Sequence, residues 1–201
     1  MSLQMLRDEA PPHPIDEVAI SRRLYFLMQR ANRALAPKQR LEWPILCNIR
    51  NQPDADDAQP TSYEDKVPDF KCTIIDHGGD PERSNRSFDI ECKRLGAPPS
   101  KTWILNRNYI LDGVVRFIKA EWGYGRSTTS GVMIGYVQSM NIADILTEVN
   151  ANAKNNALPR IRLNRKGWSE KSTSRLNHKL DRPEVLPTPF DLRHLWIDLR
   201  P

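Results

Sequence analysis

The sequence predicts an α/β protein in which helices flank a mixed central sheet. Runs of alternating apolar and polar residues at 68–76 and 86–95 are typical of half-buried strands. Helical periodicity precedes this pair of strands and returns at 102–121, before the next apolar run at 132–137. A helix that connects two strands favours a parallel pairing beside the antiparallel one, so we expect the sheet to be mixed.

The 201-residue length predicts one folded domain, over residues 15–201, after a flexible arm at 1–14. Three prolines disfavour regular structure in that arm: Pro11, Pro12 and Pro14. No run of about 18 apolar residues exists, which excludes a spanning helix, and the N-terminus lacks the apolar core of a secretion signal. Three cysteines without metal spacing indicate free thiols and predict a cytoplasmic protein.

The first half of the chain gives the elements around the expected site. Asp16 is a predicted N-cap, because Ile20, Leu24 and Leu27 then recur at helical spacing. The apolar run 42–50 predicts a short strand, and a polar loop at 51–66 leads to the two alternating strands.

The second half begins with a break at 96–99, where glycine and proline occur together. The helix at 102–121 carries three cations, Arg107, Arg116 and Lys119, and the sequence does not choose among them as substrate contacts. A glycine-rich loop leads to the strand at 132–137, a helix is predicted at 141–152, and a last strand at 190–199 follows a basic extension.

The charge is unevenly distributed along the chain, although its sum is only +5. Residues 51–70 are acidic, whereas residues 151–182 contain nine Lys or Arg and two acids. Clustered cations suit a polyanion such as a nucleic-acid backbone. The candidate phosphate contacts in this segment are Arg160, Arg162, Arg165 and Lys166. A solvated surface would also explain this clustering.

The two alternating strands separate their residues by chemistry. Within 70–74 and 88–92 the even-numbered positions are apolar and the neighbouring odd-numbered positions are polar; the apolar residues are Phe70, Cys72, Ile74, Phe88, Ile90 and Cys92. Since successive side chains of a strand point to opposite faces, one face is predicted to be core and the other displays Asp69, Lys71, Glu91 and Lys93.

The register of this hairpin is predicted from its connector. If the hairpin is symmetric about Pro81, Asp69 lies opposite Lys93 and Lys71 lies opposite Glu91. Asp69 and Glu91 are then diagonal neighbours about 7–8 Å apart, and their carboxylates can converge on one Mg²⁺. A lysine beside them can orient or deprotonate a water bound to the metal, which is the arrangement for metal-assisted phosphodiester hydrolysis.

Pro68-Asp69 followed by Glu91-Cys92-Lys93 resembles the motif of the PD-(D/E)xK nuclease superfamily, and the order αβββαβ over about residues 15–138 resembles its restriction-endonuclease-like core. The resemblance implies that Asp69, Glu91 and the Cys92 carbonyl bind Mg²⁺, with Mn²⁺ as a substitute, and that Lys93 acts on the attacking water. It also implies a further acid from the first helix, and Glu17 fits that position. Lys71 is expected to touch a phosphate or to pair with Glu91.

The expected function is therefore a Mg²⁺-dependent endonuclease acting on DNA, with restriction or anti-phage defence as its setting. RNA remains open as a substrate, and targeting would come from a homodimer or a partner protein, without a membrane. A non-catalytic nucleic-acid-binding or assembly subunit with the same fold is an alternative, as is a different α/β fold with a chance motif.

Two further alternatives concern the motif itself. Pro53-Asp54 with Glu64-Asp65-Lys66 matches the same pattern, but lies in a polar loop without alternation. Asp69, Glu91 and Lys93 could also form a ladder of ion pairs on a solvent-exposed sheet face, which would stabilise the fold little.

Overall fold

The computed structural model describes residues 1–9, 12–37, 45–47, 66–75, 85–169 and 173–200. The helices are α1 (Ser2–Arg7), α2 (Glu17–Ala34), α3 (Leu105–Leu111) and α4 (Ile142–Asn155), and a 3₁₀ helix spans Val114–Phe117. The strands are β1 (Ile45–Cys47), β2 (Phe70–Ile75), β3 (Asn85–Leu95), β4 (Ser130–Val137), β5 (Arg162–Leu163), β6 (Thr173–Leu180) and β7 (Phe190–Asp198). None of the helices in these ranges is long and apolar enough to cross a bilayer.

Within the described ranges, seven strands form one sheet in the order β1-β2-β3-β4-β7-β6-β5. The central strands β3, β4 and β7 are parallel, and both flanks pair antiparallel. The α/β class and the mixed sheet are therefore confirmed. The element order α2-β1-β2-β3-α3-β4 is also the order predicted for this part of the chain.

Helices cover both faces of the central strands. On one face, Ile20, Leu24 and Leu27 of α2 pack against even-numbered residues such as Ile90 and Cys92 of β3. On the opposite face, α3 and α4 form a second core with odd-numbered residues of the sheet, including Leu95 and Met133. The odd-numbered face of β3, which carries Glu91, therefore lies under helices. The sequence predicted that this face displays the polar residues, but did not predict that helices cover it.

The start of α2 follows from its cap. Asp16 has extended backbone geometry, and its Oδ1 accepts a hydrogen bond of 2.9 Å from the Ala19 amide, as expected of an N-cap. Glu17 is therefore the first residue of the helix and lies at its positive end. The cap places this carboxylate at the end of the sheet where β3 finishes.

The N-terminal segment differs from the predicted flexible arm. Residues 2–7 form α1, and its Leu3 and Leu6 are buried against the α2 face of the sheet. The three prolines that suggested an arm come after this helix in the sequence, so they do not prevent it.

The helix predicted at 102–121 is interrupted after Leu111 and continues only as the 3₁₀ helix. Gly113 lies at the break, where the backbone approaches its neighbours too closely for a side chain. A Cβ there would lie 2.5 Å from the Tyr109 carbonyl oxygen and 3.3 Å from Lys93 Cγ. The break changes the direction of the chain and sends Arg116 toward β3.

A buried polar chain fixes α3 against β7. Trp196 Nε1 donates a 2.9 Å hydrogen bond to Tyr109 Oη, which lies 2.7 Å from His194 Nδ1. Burial lowers the pKa of His194 well below its usual value, so the ring is neutral and its Nδ1 can accept from Tyr109. This network holds the helix that precedes the 3₁₀ turn.

The basic segment is not an extension outside the fold, because it supplies β5 and β6 to the sheet. Arg182, one of its nine cations, is fully buried. The guanidinium donates to the carbonyls of Phe117, Tyr124, Gly125 and Pro187. This arginine therefore joins the 3₁₀ helix to the loop at 122–129 and has no surface for a phosphate.

Candidate active site

The register of the β2–β3 hairpin differs from the prediction by two residues. Lys71 lies opposite Asp89, and Phe70 lies opposite Ile90, so the ladder is centred on position 80 instead of Pro81. Asp69 directly precedes β2, and its Oδ2 accepts a 2.7 Å hydrogen bond from the Cys92 amide. The predicted pairs Asp69 with Lys93 and Lys71 with Glu91 are wrong. In the observed register, Asp69 extends the ladder toward Glu91 and lies closer to it than the predicted diagonal.

The Lys93 ammonium is the centre of the cluster. Its Nζ donates to Glu91 Oε1 at 2.7 Å, to Glu17 Oε1 at 2.9 Å and to the Cys92 carbonyl at 2.8 Å. Burial favours the neutral amine, but the carboxylates of Glu91, Glu17 and Asp69 outweigh it and raise the pKa of Lys93. Lys93 is therefore protonated and cannot take a proton in this arrangement.

Glu17 joins the cluster from the other layer of the protein. Its Oε2 accepts a 3.1 Å hydrogen bond from the Arg94 amide while its Oε1 binds Lys93. The N-terminal turn of α2 thus reaches the same point of β3 as the motif. This is the place that the sequence predicted for this carboxylate.

Arg116 is a member of the cluster that the sequence did not select from the three cations of its segment. Its Nη1 lies 2.6 Å from Glu91 Oε1, and its guanidinium stacks 4.3 Å from the centre of the Trp122 ring. Arg107 and Lys119 are exposed and lie outside the site. The sequence signal that was available is the Asp112-Gly113 break, which ends the helical spacing on which the choice depended.

Glu91 is 1% exposed, and its two carboxylate oxygens differ in their contacts with the described residues. Oε1 receives both cations, whereas Oε2 is buried without a hydrogen-bond partner among the described residues. Burial, and then the neighbouring Asp69 carboxylate, raise the pKa of Glu91 to about 8, against the pull of Lys93 and Arg116. Burial also raises the pKa of Asp69. A buried carboxylate oxygen without a donor is a place that a cation can fill.

The raised pKa of Glu91 predicts a measurable cost to stability. An unfolded chain releases this proton near the ordinary value of 4.5, whereas the folded protein holds it until about pH 8. Since the folded state binds more protons in this window, stability falls as the pH rises through it. We expect the melting temperature of the wild type to fall between pH 5 and pH 8, and that of Glu91→Gln to fall less, because glutamine does not titrate in this window. Thermal melts recorded without added metal across this range measure the two pH dependences. A variant whose melting temperature depends on pH as steeply as that of the wild type would contradict the assignment.

A pocket of about 220 Å³ gives access to the cluster from solvent. Its lining includes Glu17, Lys93 and Arg116, together with Trp103 and Asp112 of the segment around α3. Glu91 lies behind this lining, beyond Lys93 and Arg116, which both contact its Oε1. A ligand in the pocket would therefore meet the two cations before the buried carboxylate.

The remaining predicted site residues lie elsewhere. Lys71 is half-buried and lies opposite Asp89 on the neighbouring strand instead of opposite Glu91. Four cations are exposed on and around β5, which is separated from β3 by three strands: Arg160, Arg162, Arg165 and Lys166. The Cys92 side chain is buried in the α2-side core, so Cys92 contacts the cluster through its main chain, with its amide on Asp69 and its carbonyl on Lys93. Asp54, Glu64 and Asp65 of the second motif match lie outside the described residues.

The cluster offers few protein oxygens that could bind a divalent cation. Across the described ranges, no three side chains of His, Cys, Asp or Glu are grouped closely enough to hold a metal ion. The oxygens available are the Asp69 carboxylate, Glu91 Oε2 and the Cys92 carbonyl, beside Lys93. This set of two carboxylates and a main-chain oxygen suits Mg²⁺, which retains several waters.

Comparisons with protein-family models, with curated proteins and with solved structures found no match to this chain. The assignment of function therefore rests on the chemistry of the cluster.

Proposed function

We propose that the protein is a Mg²⁺-dependent endonuclease with a restriction-endonuclease-like core, and that it hydrolyses phosphodiester bonds of DNA. The observation that carries the proposal is the buried Oε2 of Glu91, which has no hydrogen-bond partner among the residues that the structure describes and lies beside Asp69 and behind two cations. Further support comes from the Asp-…-Glu-x-Lys spacing and from the element order around it.

Asp69, Glu91 and the Cys92 carbonyl are the groups that would hold Mg²⁺. When bound, the ion supplies Lewis-acid stabilisation of phosphate charge and lowers the pKa of a coordinated water. Lys93 is protonated, so we assign it the orientation of the attacking water and the neutralisation of developing charge instead of proton removal. Glu17 holds the Lys93 ammonium in place from the α2 side.

Arg116 lines the pocket and is, with Lys93, one of two cations there that bind Glu91 Oε1, and it also stacks on Trp122. A guanidinium presents several donors in a plane and can bind phosphate oxygens in pairs. We assign Arg116 the binding of the scissile phosphate, since it is positioned between the buried carboxylate and the opening of the pocket.

One observation favours a second candidate, a nucleic-acid-binding subunit without catalysis. Lys93 Nζ already occupies the Cys92 carbonyl, which is one of the oxygens expected for the metal, and also binds the other Glu91 oxygen, Oε1. In a non-catalytic protein, this ammonium would replace the metal permanently.

A cleavage assay with several metals and substrates separates the two candidates. Supercoiled plasmid, linear duplex, single-stranded DNA and RNA are incubated with Mg²⁺, Mn²⁺ or EDTA, using wild type and Asp69→Asn. We expect DNA cleavage with Mg²⁺ and Mn²⁺, none with EDTA, and none by the variant, because Asn removes the charge that holds the ion. Binding of nucleic acid without cleavage under every condition would favour the non-catalytic subunit.

A further inference from the structure

The outer strands of the sheet leave one face uncovered. On β6 and β7, the even-numbered residues are buried in the core beneath α3 and α4, including Leu176, Leu180 and Leu192. The intervening residues point to the other side. Helices α1 and α2 pack over β1, β3 and β7 on that side, and the side chains toward the β5 edge remain exposed.

The paired positions show that this face is opposite to the acidic cluster. Arg162 pairs with Asn177, Asn177 with Arg193, Arg193 with Val132, and Val132 with Ile90. These five residues form one row across the sheet, and paired residues point to the same side. Since Glu91 follows Ile90 on β3, its side chain points to the opposite side.

Four cations dominate the uncovered face, namely Arg162, Arg175, Lys179 and Arg193, and all four are exposed. Asp191, opposite Lys179, is the acid among them. None of the four side chains forms an ion pair or hydrogen bond with another residue in the part of the chain that the structure describes. The cations therefore repel one another with little internal compensation.

The spacing of the cations suits a chain of phosphates. Arg162 and Arg193 lie two strands apart, about 10 Å, and Arg175 and Lys179 lie four residues apart, about 13 Å. A concavity of about 440 Å³ opens beside them and is lined by Arg160, Arg162, Lys179 and Arg193. A single small anion would engage one or two of these side chains, whereas a polymer backbone can engage all of them.

We propose that the uncovered face of β5, β6 and β7 binds the phosphate backbone of duplex DNA, as a site separate from the acidic cluster. The choice of DNA rests on the proposed function. Because the sheet lies between the two sites, the face would hold a segment of DNA other than the one being cut. Contacts to phosphates carry no sequence information, so this binding should be insensitive to sequence.

The test measures binding of a fluorescent duplex of about 20 base pairs by anisotropy in EDTA, over a series of salt concentrations. We expect the triple variant Arg162→Gln, Lys179→Gln, Arg193→Gln to bind at least about tenfold more weakly. The slope of log K against log salt should decrease by about 2 to 3, because each lost phosphate contact removes about 0.9.

The matched control is Arg30→Gln, Arg33→Gln, Lys154→Gln, which removes three exposed cations from the ends of α2 and α4. Both triples lower the net charge from +5 to +2, so a difference between them reports position instead of total charge. We expect the control to bind DNA within about twofold of the wild type. A third variant, Arg162→Lys, Lys179→Arg, Arg193→Lys, keeps the charges and should bind like the wild type.

Equal binding by the two neutralised triples would overturn the proposal, and so would wild-type binding to vesicles of anionic lipid but not to DNA. The test is distinguishable from that of the nuclease activity. If the face variant loses DNA binding and the wild type does not cleave DNA, the proposed binding face is supported and the proposed nuclease activity is contradicted. If the wild type cleaves DNA and the face variant binds as well as the wild type, the nuclease activity is supported and the binding face is contradicted.

Discussion

Lys93→Met is expected to reduce Mg²⁺-dependent DNA cleavage by about 10²- to 10⁴-fold, the usual range for a group that acts on the attacking water. Methionine is close in length to lysine and cannot donate a hydrogen bond. It leaves Glu17 and Glu91 without the ammonium that lies 2.9 Å and 2.7 Å from them. Single-turnover cleavage at saturating protein is the measurement, because it isolates the chemical step from binding.

The control for this variant is Lys119→Met, an exposed lysine just after the 3₁₀ helix. It removes the same charge from the same side of the sheet and should cleave at the wild-type rate. Circular dichroism of both variants establishes that they are folded. A Lys93→Met protein that cleaves within about threefold of the wild type would remove Lys93 from the mechanism.

Arg182→Met is expected to be among the most destabilising single substitutions in the chain, with a loss of about 3 kcal/mol or more. Four carbonyl groups lose their donor, three of them in buried contacts, and each unsatisfied buried group costs about 1–3 kcal/mol. The contact of the guanidinium with the Phe190 ring, 3.6 Å away, is lost as well. Urea denaturation gives the difference in the free energy of unfolding.

Arg107→Met supplies the comparison for Arg182→Met, because Arg107 is an exposed residue of α3. We expect a change within about 0.5 kcal/mol for this surface position. A loss below about 1 kcal/mol in Arg182→Met would show that water satisfies these carbonyls and that the arginine is not a structural clamp.

The hairpin illustrates what alternation can predict and where it stops. The pattern from Phe70 to Cys92 correctly assigns the core face, because side-chain direction depends only on parity. Register depends on the geometry of the connector, for which symmetry about Pro81 was a guess, and a shift of two residues keeps parity unchanged. The sequence therefore predicted the face of Asp69 and Glu91 correctly and their pairing incorrectly.

Two other predictions, both in the basic segment, were wrong for one reason. The charge of the segment was given more weight than the alternation of its apolar and polar residues. Residues 173–180 alternate strictly, with Leu176, His178 and Leu180 buried, and this is a strand pattern within a segment classified by its bases. Arg182 was counted among the surface cations, although its burial follows from tertiary contacts with the loop at 122–129. Charge along a sequence does not show which cations have carbonyl partners in the fold.

Lys93 has a consequence for how the protein would take up a metal. The acidic cluster is already neutralised by an internal counter-ion, so the fold does not depend on a divalent cation to hold Glu17 and Glu91 together. Loading becomes an exchange in which the incoming ion must compete with an ammonium and a guanidinium for Glu91. Breaking the existing ion pairs would cost part of the free energy of metal binding. We therefore expect the ion to bind weakly and reversibly. If Mg²⁺ binds as proposed, the protein should stay folded in chelator and bind the ion again after dialysis into buffer that contains Mg²⁺.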